Sequence, residues 1–161
     1  PPVERTGMPR PFLALDVDGP IALMGAPDAD EVFEVTVDEI PLLISRRLPE
    51  RLQRLSAVFQ IVWASSWGRR ASTQIAPLVG LPAGLPYVPF RSAGRAGVSY
   101  KLSGLKRWLK SAPSAIVDDE VGADMWQWAE ARPHTLMLPI DPRFGLLDEH
   151  VERLLEFARA F

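Results

Sequence analysis

The chain has 161 residues, 47% apolar and 24% charged, the balance of a soluble globular domain long enough to bury a sizeable core. With 18 basic residues against 20 acidic ones and a formal net charge of −2, no global field draws it to nucleic acid or to an anionic membrane. The lack of cysteine excludes disulfides, thiolate nucleophiles and thiolate metal sites; no apolar run has the length of a membrane span or the pattern of a secretory leader, so a cytoplasmic location is expected.

Residues 1–11, "PPVERTGMPRP", read as a disordered or vector-derived lead-in, with Met8 available as the natural initiator. Residues 12–161 read as a single domain. A strand is predicted over 12–17, and it ends in "DVDG", placing Asp16 and Asp18 one residue apart before Gly19. Aspartate is depleted in strands and favoured in turns, so an acid pair at a strand end is either simple turn chemistry or one wall of a site. Within residues 21–47, "GAPDAD" reads as a loop. "VFEVTVDEI" alternates apolar and polar positions like a half-exposed antiparallel strand, which predicts a hairpin-like flap.

A helix follows over 49–57, with Leu48, Leu52 and Leu55 on one face, then a strand over 59–64 that runs into Ser65, Ser66 and Trp67. Next come a helix over 69–79, containing Arg69 and Arg70, a short strand over 86–89, and a glycine-containing loop with Arg91 and Arg95. Only three of the basic residues are lysines. Lys106 and Lys110 lie opposite the apolar stripe of Leu102, Leu105 and Leu109 on a helix over 103–111, whereas Lys101 precedes that helix and is off the stripe. A strand over 115–118 ends in Asp118, Asp119 and Glu120. A helix over 122–131, a strand over 135–140 and a helix over 148–160 complete the chain. His134 reads as a strand-edge residue and His150 as part of a solvated helix face.

Strand–helix alternation of this kind predicts a three-layer, Rossmann-like α/β domain, mainly parallel, with helices on both faces. Ligands bind such sheets at the carboxyl ends of their strands. Two acid clusters, a hydroxyl and a lysine then converge on one edge. So many like charges need a counter-ion, and an oxygen-only donor set favours a hard divalent cation, Mg²⁺. A carboxylate beside such a cation can attack phosphorus, and a second carboxylate can serve the leaving oxygen as acid and the incoming water as base. A hydroxyl and a lysine can hold the equatorial oxygens.

The order D-x-D-G, strand-Ser, Lys, strand-Asp-Asp resembles the haloacid dehalogenase-like superfamily of phosphohydrolases, in a minimal-cap form, from Phe12 to the last helix. The resemblance implies Asp16 as nucleophile, forming an aspartyl-phosphate, and Asp18 as general acid/base. It implies a phosphate site made by Ser65, or Ser66 in the alternative register, with Lys101 and the main chain at Val17. It also implies Mg²⁺ held by Asp16, Asp18 through its carbonyl, Asp118 and Asp119. Dehalogenases of the superfamily lack the second acid, so Asp18 points to phosphomonoesters. Pro20 departs from the family pattern by removing one backbone N–H.

Trp67 and Arg69 are candidate substrate contacts. With no room for a full cap domain, an open edge suits a bulky phosphoester, a nucleic-acid end included; an oligomer could instead close it over a metabolite. The competing readings are a catalytically inactive member of the fold that binds phosphate or metal, and a phosphoacceptor signalling domain. The position of the last acid pair after the lysine disfavours the signalling domain. A dinucleotide fingerprint and a P-loop are both missing.

Overall fold

The computed structural model describes residues 9–25, 31–91 and 96–161. The loop predicted over "GAPDAD", most of the lead-in including Met8, and Arg95 therefore lie outside the described residues, wholly or in large part. Four strands form one parallel sheet: β1 (Phe12–Leu15), β4 (Gln60–Trp63), β5 (Ser114–Asp118) and β6 (Thr135–Pro139), in the order β4-β1-β5-β6. Between β1 and the first helix stands an antiparallel hairpin, β2 (Val32–Val37) and β3 (Ile40–Ser45). The helices are α1 (Leu48–Ser56), α2 (Leu102–Leu109), α3 (Ala123–Ala131) and α4 (Asp148–Ala158).

Both faces of the sheet are covered, which is why its strands are apolar runs rather than alternating ones. Successive side chains point to opposite faces. Leu13, Leu15, Ile61, Trp63, Ala115 and Val117 pack with Leu52 and Leu55 of α1 and Val151 and Leu154 of α4. Ala14, Val62 and Ile116 pack on the other side with Leu105 and Leu109 of α2 and Met125 of α3. The result is the predicted three-layer arrangement. The hairpin joins the first of these layers through Val37, Leu42 and Ile44.

Three local predictions need correction. The alternating run "VFEVTVDEI" is not one strand: it reverses at Asp38 and Glu39, whose φ angles of 50° and 66° are the left-handed pair that a two-residue hairpin turn demands. The segment predicted as a helix over 69–79 is a π-helical turn at Ala71–Ile75 followed by a 3-10 turn at Ala76–Val79. Pro77 lacks the N–H that a continuing α-helix needs, and Gly80, at φ 75°, ends the run. The strand predicted over 86–89 is a single parallel bridge between Trp63 and Tyr87 at the β4 edge, because the prolines at 86 and 89 cannot donate to a ladder.

Candidate active site

β1 and β5 are parallel neighbours with Leu15 opposite Val117, so Asp16 and Asp118 leave the sheet side by side at its carboxyl edge. The Asp16 amide continues the pairing by donating to the Val117 carbonyl at 3.0 Å. The chain then turns tightly: the amides of Ile21 and Ala22 both donate to the Val17 carbonyl, at 3.0 and 2.9 Å. Pro20 lies within this turn, and its carbonyl accepts from the Leu146 amide at 3.1 Å. Gly19 has φ 101°, and a Cβ there would stand 2.6 Å from the Cβ of Asp119. The glycine of the motif thus makes room for an acid that arrives from β5.

Lys101 ties these strand ends together. Its ammonium donates to Asp118 Oδ2 at 2.6 Å and to the Ala64 carbonyl beyond β4 at 2.8 Å, and lies 3.2 Å from Asp16 Oδ1. Asp16 Oδ1 also accepts from the Val17 amide at 2.8 Å, and Asp118 Oδ1 accepts from the Glu120 amide at 3.0 Å. Asp16, Lys101 and Asp118 are all buried.

Burial, reinforced by the Asp118 carboxylate and only partly offset by the Lys101 ammonium, pushes the Asp16 carboxyl up to about 8. Burial likewise raises Asp119. Burial acts to lower the Lys101 ammonium, but Asp16 and Asp118 outweigh it and leave its pKa raised. One ammonium therefore does not satisfy the acids around it.

The carboxylates of Asp16, Asp118 and Asp119 each offer an oxygen, and these lie within 4.8 Å of one another. Opposite oxygens around an octahedral Mg²⁺ are separated by about 4.2 Å at the usual bond length. The spacing, the all-oxygen donor set and the uncompensated negative charge fit a hard divalent cation. Three buried or half-buried aspartates at strand ends make this a candidate metal or catalytic site.

The cleft above the cluster has a volume of about 770 Å³. Asp18, half-buried, shares its wall with Met24, Ser66, Tyr100 and Val121. The structure thus brings Asp16, Asp18, Lys101, Asp118 and Asp119 to one edge, with Val17 buried beneath. Of the two serines, Ser66 is exposed on the cleft wall, whereas Ser65 is buried and its Oγ accepts from the Trp67 amide at 3.2 Å.

Trp67 is buried, and its indole donates to Asp18 Oδ1 at 3.4 Å. Arg69 is exposed, and neither it nor Trp67 is part of the cleft wall. Sequence reasoning passed over Tyr100, whose ring lies 5.8 Å from the Lys101 ammonium, and the bond between the Ser99 hydroxyl and Asp124. Tyr100 and Ser99 belong to no periodic pattern; adjacency to Lys101 was the available signal for Tyr100.

A scan against protein-family models gives no match, and neither does a search of curated proteins.

Proposed function

We propose that the chain is a Mg²⁺-dependent phosphomonoester hydrolase of the haloacid dehalogenase-like kind, working through an aspartyl-phosphate. The observation that carries this reading is the convergence of Asp16, Asp118, Asp119 and Lys101 at one sheet edge, with Asp18 on the wall of the same cleft. Asp16 attacks phosphorus through a carboxylate oxygen as the ester P–O bond breaks. Asp18 gives its proton to the departing alkoxide. Water then attacks the phosphoryl group, Asp18 takes back a proton, and the bond to Asp16 breaks to release inorganic phosphate.

Lys101 fixes Asp16 and offers positive charge near the equatorial oxygens, where the transition state spreads its own charge. Ser66, on the cleft wall, is placed to donate to the phosphoryl group, and Ser65 shapes the turn beneath it. Asp16, Asp118 and Asp119 would hold Mg²⁺, which supplies charge neutralisation for the phosphoryl group and favours the ionised form of Asp16. Among the described residues a hairpin is the only insertion between β1 and α1, so bulky phosphoesters, end-phosphorylated nucleic acid among them, are the first class to screen.

The test is turnover of p-nitrophenyl phosphate with Mg²⁺ and with excess chelator. The expected result is metal-dependent hydrolysis that Asp16→Asn reduces at least about 10³-fold. Equal rates in the mutant and the wild type would remove Asp16 from the nucleophile's role.

A further inference from the structure

Asp18 can serve as an acid only if its carboxyl points at the leaving oxygen, and it is half-exposed on a turn. Among the described residues its side-chain partner is the Trp67 indole, which donates to Oδ1 at 3.4 Å and leaves Oδ2 facing away from that bond. Trp67 is itself held from outside. The Arg70 guanidinium lies over its ring, 4.6 Å from the centroid, and Arg70 is paired at 3.1 Å with Asp38.

Asp38 is at the tip of the β2–β3 hairpin, in a turn whose two central residues both have left-handed φ and are not glycine. The Arg70–Asp38 pair is about half exposed, with side chains 47% and 46% accessible. A pair of that kind adds little to stability.

We propose that Trp67 is a positioning residue for Asp18, aimed by Arg70 and, through it, by Asp38 at the hairpin tip, so that the inserted hairpin sets the geometry of leaving-group protonation. The inference rests on the phosphatase reading above. It assigns to the hairpin a function other than covering the cleft: the flap reaches the acid by three successive contacts, Asp38 to Arg70, Arg70 to Trp67 and Trp67 to Asp18.

The experiment compares kcat/KM for phenyl phosphate and p-nitrophenyl phosphate at saturating Mg²⁺. This ratio reports the step in which the alcohol departs, before the common hydrolysis of the aspartyl-phosphate. Phenolate is the more basic leaving group and needs the proton; p-nitrophenolate departs largely without it. Trp67→Phe keeps an aromatic ring, though a smaller one, and removes the N–H donor. It is expected to raise the ratio of p-nitrophenyl to phenyl phosphate kcat/KM about tenfold, a fraction of what complete loss of acid catalysis gives. Asp38→Asn and Arg70→Gln, on side chains about half exposed, are expected to raise it about threefold and carry the test if Trp67→Phe does not fold.

A merely structural Trp67 would lower both rates alike. An unchanged ratio in all three variants, with an active wild type, overturns this inference and leaves the phosphatase reading standing. A wild type that hydrolyses neither ester overturns both.

Discussion

At Gly19 two requirements meet, a φ of 101° and an Asp119 side chain occupying the place of a β-carbon. Gly19→Ala is therefore expected to cost roughly 2 kcal/mol in urea denaturation and to weaken Mg²⁺ binding by displacing Asp119. Lys101 is the other residue on which the cluster depends. Lys101→Met strips the buried pairing from Asp16 and Asp118, and a loss of roughly 3 kcal/mol is expected by the same measurement at neutral pH. The acids and the lysine were legible in the sequence because each stands where an apolar run stops, and parallel strands bring such stops to one edge. The choice between Ser65 and Ser66 was not legible: successive residues at a strand end face opposite ways, so a shift of one residue in where β4 ends exchanges their surroundings. Trp67 read as a candidate substrate contact from its position after the serines. Only coordinates could show its N–H directed at Asp18.

The elements were legible in type wherever an apolar period was sustained, as in α1, α2 and α4. They were misread where proline or turn chemistry overrode the pattern. The hairpin reversal at Asp38–Glu39 carries no glycine, so nothing in "TVDEI" marks the left-handed pair. Glu39→Gly is expected to raise the urea midpoint by the equivalent of about 0.5–1 kcal/mol, since glycine takes that conformation without strain. His150, read as part of a solvated face, is instead half-buried and caps α4, its Nδ1 accepting from the Leu147 amide at 2.9 Å. Burial holds its pKa below the ordinary 6.5, so the fold favours the neutral ring. That contribution is present above the ordinary value and is lost as the pH falls through the lowered one. The urea midpoint should therefore drop on acidification through this range, and by less in His150→Gln.

For the molecule as a whole, the sheet order puts β1 between β4 and β5, so the three aspartates come together only in the folded state. A cation that binds them must then stabilise the fold by mass action, by about 2.7 kcal/mol at a hundred times its dissociation constant. Differential scanning fluorimetry should show Tm rising with Mg²⁺ in the wild type and flat in Asp118→Asn; an unchanged wild-type Tm would count against a resident metal. Among the described residues no helix is long and apolar enough to cross a membrane. The central place of β1 also governs biosynthesis. Phe12 pairs with Gln60 on one side and with Ser114 on the other, and long-range parallel pairing of this sort is slow to form. On the ribosome Asp16 emerges well before its neighbours in the fold: a nascent chain whose Ser114 is still in the exit tunnel holds one wall of the aspartate cluster, and the other wall is added only with β5.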